Sequence, residues 1–220
     1  MSDLNQITSK SLVQSIATDN LGDLLGNVAE TAIDALLDEG IVRDVPIIGT
    51  ITGLLKAGWD IRNRLFLKKI AIFLSKISDA SAEERKKFAA RFENDEDCRR
   101  FGEAVLLLLE RAEDMEKPRI IGRIMRVAVE GHIDLARAMR LSAIVDRCYL
   151  QDLDHLPKFE EGPKVAERKT VVEALQSVGL LSTAGFDGGD FSQKPLKSGT
   201  IYVMNEYGEM LLKYGLSDDA

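Results

Sequence analysis

Between Ser81 and Leu150 apolar residues return every three or four positions in four successive stretches, each closed by a polar stop or a turn residue. That period, held over so long a run, points to packed helices. Ser81-Ala82-Glu83-Glu84 forms a capping box, in which the Ser81 hydroxyl accepts an orphan helix N–H while Glu84 reaches back. Phe88, Ala89 and Phe92 mark the helix that follows, which stops at Asn94-Asp95-Glu96-Asp97. Phe101, Val105, Leu108, Leu109, Ala112 and Met115 form the face of the next, and Leu106 and Leu107 widen it enough to predict a central, largely buried element. Lys117-Pro118 starts a third helix with Ile120, Ile121, Ile124, Val127 and Ala128 inside. Gly131 allows a turn before Asp134, the expected N-cap of a last long helix marked by Leu135, Met139, Leu141, Ile144, Val145 and Cys148. Short links between these helices favour antiparallel neighbours, hence a bundle.

Ahead of the bundle the charge reverses along the chain. Residues 1–42 hold one cation, Lys10, against seven acids, a net of −6. Leu21, Leu24, Leu25, Val28, Ala29, Ala32, Ile33, Leu36 and Leu37 predict an amphipathic helix from about Asn20 to Glu39, ended at Gly40. The segment before Asn20 has room for a further short helix. Residues 43–76 carry seven cations against two acids, a net of +5, within a protein whose total is −7. This stretch opens with the apolar, Gly-spaced run Val45 to Gly58, in which Pro46 suits a first helical turn and Gly49-x-x-x-Gly53 offers a close helix contact. The run is too short to span a bilayer, which needs about 20 apolar residues, and extending it to Ile77 admits Asp60, Arg62, Arg64, Lys68 and Lys69. Two readings stand. Trp59 can sit at a headgroup boundary with Arg62, Arg64, Lys68 and Lys69 toward anionic lipid or a partner. Alternatively the segment is a core hairpin whose Lys and Arg stems cover apolar surface.

After Pro157 the character changes again. Lys158 to Lys169 reads as a charged linker or a poorly packed helix start, broken at Gly162-Pro163, Thr170 to Leu181 as a short amphipathic helix ended at Gly179, and Ser182 to Ser198 as a Gly-rich hairpin. Ile201 to Met204 is β-prone, and Asn205 to Tyr214 predicts a capped final helix. Helix, hairpin, strand, helix is the order of a winged-helix C-terminal half, in which Lys169, Gln176, Lys194 and Lys197 are the candidate nucleic-acid contacts. The footprint is poor: residues 158–220 hold seven basic residues against ten acidic ones.

Reactive chemistry finds no residues to carry it. Asn94 to Asp97 and Asp187-Gly188-Gly189-Asp190 lack the twelve-residue calcium loop and read as a helix junction and a hairpin turn. Asp152, Asp154 and His155 fall short of a metal ligand set, and His132 lies in a turn. Cys98 and Cys148 give neither a disulfide scaffold nor a CxxC pair. GxSxG, P-loop, GxGxxG and HExxH patterns are absent. The opening Met1-Ser2-Asp3 shows no secretory signal, so a reduced cytoplasmic location is expected.

Two patches carry a resemblance. VPIIGTITGLLKAGWDIRNRLFLKKIAIFLSKI with SAEERKKF, GEAVLLLLERAEDMEKPRIIGRIMR and DLARAMRLSAIVDRCYLQDL resembles a widespread group of uncharacterised small bacterial helical proteins. LQSVGLL through IYVMNEYGEMLLKYG resembles the C-terminal winged-helix-like unit of the abortive-infection alpha family. The resemblance implies a bacterial or prophage origin and a part in phage defence or growth arrest. One departure from the winged-helix pattern is that a single convincing helix precedes the wing, where a full winged helix supplies three.

The expected fold is therefore mainly α: an acidic N-terminal helical segment (1–42), a basic amphipathic hairpin and helical bundle (43–157), and a small winged-helix-like α+β unit (158–220). The expected function is that of a non-enzymatic defence effector or interaction protein without cofactor or metal. Its basic segment, masked by the acidic N-terminus, would engage a protein partner, a second copy, or the inner-membrane surface. The alternative is a DNA-binding regulator.

Overall fold

Helix begins at the second residue and accounts for most of the chain. The computed structural model describes residues 2–25, 41–54, 61–92, 94–165, 169–188 and 199–217. The chain divides into two compact units, Met1–Met139 and Arg140–Ala220. The first contains α1 (Ser2–Ile16), α2 (Leu21–Leu25), a 3₁₀ turn (Ile41–Asp44), α3 (Pro46–Leu54), α4 (Ile61–Ile77), α5 (Ala82–Ala89), α6 (Asp95–Arg111) and α7 (Glu116–Val129). Helix α8 (Leu135–Arg147) starts there and runs on into the second unit.

The room left before Asn20 holds a full helix, α1, and it belongs to the core. Leu12, Val13 and Ile16 are buried, as are Ser9, Ser11 and Ser15. Those serines hide from a hydrophobic count, yet each sits where a small hydroxyl is useful. Ser15 Oγ donates to the Ser11 carbonyl at 2.7 Å and accepts the Ile47 N–H at 2.9 Å. It thereby caps the start of α3 from another helix, where Pro46 has no N–H to satisfy. Ser11 and Thr50 join hydroxyl to hydroxyl at 2.8 Å. Val45, Ile47 and Ile48 beside them are fully buried. Of the predicted Asn20–Glu39 helix, Leu21–Leu25 is helical and the part from residue 26 lies outside the described residues.

Helix α4 packs chiefly on α7, and α1 on α6 and α3. Both long crossings are set by glycine. A Cβ on Gly122 would stand 2.7 Å from the Phe73 carbonyl oxygen, and one on Gly102 would stand 2.6 Å from Ser9 Cα, so neither backbone approach tolerates a side chain. The Gly49-x-x-x-Gly53 pair divides: a Cβ on Gly49 would stand 2.5 Å from the Arg43 carbonyl oxygen of the preceding 3₁₀ turn, whereas one on Gly53 would meet nothing within 4 Å. The central helix is α7 rather than α6. Ile120, Ile121, Ile124, Met125, Val127, Ala128 and Val129 are all buried, whereas Leu107 on α6 is 49% exposed. Arg119, Arg123 and Arg126 disguise α7 in the sequence, because their stems lie along the bundle. Their guanidiniums reach Glu116 at 3.1 and 4.0 Å and Asp79 at 3.9 Å.

The capping box at Ser81 and Glu84 and the cap at Asp134 are realised as read. Ser81 Oγ accepts the Glu84 N–H at 3.2 Å, and Glu84 Oε2 accepts the Ser81 N–H at 3.0 Å and its hydroxyl at 2.6 Å. These bonds, the hydroxyl's foremost, hold the Glu84 carboxyl below its ordinary range. Their contribution is complete above the unfolded pKa and fades as pH falls through the folded one. Asn94 caps α6 by accepting the Asp97 N–H, and Asp134 caps α8 by accepting the Arg137 N–H.

In the second unit α9 (Leu150–Leu153) and a 3₁₀ turn (Leu156–Phe159) lead to β1 (Lys164–Val165), a strand inside what the sequence presented as linker. Then come α10 (Lys169–Ser177), β2 (Leu181–Asp187), β3 (Gly199–Met204) and α11 (Glu206–Leu211), extended by a π turn (Leu212–Leu216). The antiparallel sheet has the order β1-β3-β2, with Leu181 opposite Met204 and Lys164 opposite Tyr202. Asn205 caps α11 by accepting the Tyr207 and Gly208 N–H groups.

Candidate functional site

The period that buries one stripe of α4 determines what its outer face presents. Leu67, Ile70, Ala71, Leu74 and Ile77 turn into the core along one stripe, and Ile72 and Phe73 are buried as well, so the opposite face of α4 is open only in the first half of the helix. The same 100° step places Ile61 and Leu65 nearly opposite that stripe, one turn apart. They are 77% and 44% exposed, unusually open for large aliphatic side chains. On α6 the burial of Phe101, Val105, Leu108 and Leu109 turns Leu107 outward in the same manner. A groove of about 370 Å³ beside Leu107 is lined by Thr8, Ser9, Phe66, Glu103, Leu106 and Glu110, and Ile61 and Leu65 lie outside its lining.

Glu110 ties the two helices together across this face. Its carboxylate pairs with Arg62 at 3.0 Å, and its backbone carbonyl accepts from the Lys69 ammonium at 3.1 Å. Partial burial lowers the Lys69 pKa, Glu110 opposes that effect, and Arg62 adds to it. The Arg62–Glu110 pair is largely exposed, so its stabilisation is about 0–1 kcal/mol and it serves mainly to orient the arginine. Arg64 and Lys68 are half-buried on α4, and both are engaged in further interactions. Trp59 lies outside the described residues.

The structure thus gathers Arg62 and Lys69 on Glu110 and sets them beside exposed leucine and isoleucine. Ile61, Leu65, Phe66, Leu107 and Glu110 are the members that sequence reasoning did not single out. The signal was present in the i, i+4 spacing of Ile61 and Leu65 on the basic side of α4, opposite the stripe containing Ile70 and Leu74.

Two charges of the N-terminal segment find partners elsewhere in the first unit. Asp19 pairs with Lys86, and Lys10 with Asp95 at 2.6 Å. Glu30, Asp34, Asp38 and Glu39, which dominate the acidic count, lie outside the described residues.

In the second unit, Lys169 opens α10 and pairs with Glu173 at 3.6 Å, while Gln176 is half-buried. Lys194 and Lys197 fall outside the described residues. Among the described residues, no group of three or more His, Cys, Asp or Glu side chains is placed to hold a metal ion. No described helix is long and apolar enough to cross a membrane. No protein-family model matches the chain, and no curated protein or solved structure matches it either.

Proposed function

We propose that this is a non-enzymatic interaction protein of the abortive-infection type, acting in bacterial phage defence through the outer face of α4 and α6. The observation that carries the reading is the exposure of Ile61, Leu65 and Leu107 beside Arg62 and Lys69. Aliphatic side chains left in water next to cations suit a protein partner or the surface of an anionic membrane. The defence role rests on the resemblance of the C-terminal segment. Val45, Ile47, Ile48 and the inner stripe of α4 are core in this state. The outer face therefore makes a first contact, and deeper insertion of the Val45–Ile77 segment would require opening of the first unit. Flotation of the full chain with anionic and neutral liposomes tests the membrane form. Anionic-selective flotation that is lost in a Lys68→Glu/Lys69→Glu variant is the expected result. Failure to float at low salt would leave a protein partner as the occupant of the face.

The sheet order β1-β3-β2, with α10 between β1 and β2, supports a second reading as a winged-helix DNA-binding regulator. Such proteins close a short first strand onto the far strand of the wing hairpin. Binding of this kind would weaken steeply with salt and disappear on Lys194→Ala/Lys197→Ala. The one cation within α10 is Lys169, already paired with Glu173, and the total of −7 further disfavours it.

A further inference from the structure

The sheet of the second unit ends on one side in an open strand. In the order β1-β3-β2, β2 lies at the margin, and every residue from Ser182 to Asp187 is exposed. Apart from the ladder with β3, Thr183, Ala184, Gly185 and Phe186 form no hydrogen bond among the described residues. In an antiparallel ladder alternate residues turn their N–H and C=O groups away from the paired strand. The margin therefore presents a row of donors and acceptors that matches another extended strand. Sheets commonly blunt such a margin with Lys or Pro, and the run Leu181 to Asp187 contains neither. Phe186, 73% exposed, adds a large apolar side chain to it.

A bulge decides which strand fits. The register with β3 passes from Thr183–Tyr202 to Gly185–Ile201, so β2 carries one extra residue here, and Gly185 takes φ +153°, a conformation that favours glycine. The extra residue shifts the alternation of side chains by one. Leu181 and Thr183 share the face of buried Tyr202, and beyond the bulge Phe186, opposite Thr200, returns to that same face. Ser182 and Asp187, opposite Val203 and Gly199, share the other face. The pattern of β2 is thus the same read forwards or backwards. When two β2 strands lie antiparallel about a two-fold axis between Ala184 and Gly185, Thr183 of each copy stands opposite Phe186 of the other, on one face. Ser182 stands opposite Asp187 on the other face. An aromatic ring against a β-branched side chain is a favourable cross-strand pair, and no like charges meet. Without the bulge, the same register would send the paired side chains to opposite faces.

We infer that the margin of β2 pairs with β2 of a second copy of this chain, in the register Thr183–Phe186, and joins three strands from each copy into one antiparallel sheet. A pairing of this length covers less surface than a standard interface buries, so the dimer forms and dissociates with concentration. It does not depend on the α4–α6 face.

Sedimentation equilibrium of the full chain over a range of concentrations is the test. The parent should pass from monomer to dimer as concentration rises. Thr183→Lys/Phe186→Lys sets like charges opposite one another at both ends of the pairing and should raise the dimer dissociation constant about tenfold or more. Thr183→Lys/Phe186→Glu sets Lys opposite Glu in the same register and should recover most of that loss. Both variants change exposed side chains only, so both should fold as the parent does. Ile61→Asp/Leu107→Asp should leave the association unchanged. A chain that stays monomeric throughout, which would leave the margin to a strand of another protein, would overturn the assignment. So would a dimer that ignores the two Lys substitutions, or one that the Lys/Lys and Lys/Glu variants weaken equally.

Discussion

Replacing Arg85 with Met should cost about 3–5 kcal/mol of folding stability, the largest single-residue effect expected in the bundle. Arg85 is 3% exposed, and its side-chain bonds all go to backbone carbonyls. Nε donates to Ile16 at 3.1 Å; one terminal nitrogen donates to Ser78 and Ala80 at 3.2 and 2.6 Å, the other to Thr18 and Asp19 at 2.8 and 3.1 Å. Ile16, Thr18 and Asp19 mark the end of α1, and Ser78 and Ala80 the exit from α4. One guanidinium thus satisfies orphan carbonyls at the C-terminal ends of two helices, where the helix dipoles favour a cation. Burial lowers its pKa and Asp19 opposes that effect. Met fills much of the volume but removes the donor to the Ile16, Asp19, Ser78 and Ala80 carbonyls, while Thr18 keeps the Leu21 N–H at 3.3 Å. Lys supplies three donors from a point charge and should recover only part of the loss. Urea denaturation of the three proteins measures the series. A Met variant within about 0.5 kcal/mol of the parent would show that the carbonyls find water instead.

The second large effect is expected at Gly122. In an exposed helix interior, Gly→Ala stabilises by about 1 kcal/mol. At Gly122 the added carbon meets the Phe73 carbonyl oxygen at 2.7 Å and Lys76 Cβ at 2.9 Å, so two helices must separate. Gly122→Val should therefore destabilise by about 3 kcal/mol, at the upper end of overpacking costs. Gly53→Ala is the matched control, since its Cβ would meet nothing within 4 Å, and it should be neutral or stabilising by a few tenths to about 1 kcal/mol. Thermal melts of both variants decide the matter. A neutral Gly122→Val would mean that the α4–α7 crossing is not close-packed.

The bundle was legible because its signals are local. Ser81 with Glu84, Asn94, Asp134 and Asn205 each fix a helix start through their own hydroxyl, carboxylate or amide. The role of α1 was less legible, since Ser9, Ser11 and Ser15 count as polar and reveal themselves only when α3 and α6 arrive. Helix α7 was underrated for the converse reason, because arginines whose stems cover the bundle break up its apolar run. β1 is two residues long and owes its existence to pairing with β3, so nothing in Lys164-Val165 announces it. Of the α4–α6 face, the cations Arg62 and Lys69 could be read directly. The exposed partners Ile61, Leu65 and Leu107 required knowing which side of each helix is buried.

The most direct test is a phage challenge of bacteria expressing the full chain or its Ile61→Asp/Leu65→Asp/Leu107→Asp variant, with melting curves confirming that both fold. The account predicts that the parent reduces plaque formation or arrests growth on infection, and that the variant, folded to the same stability, loses the effect. Protection that is equal in the two proteins would contradict a function carried by the α4–α6 face.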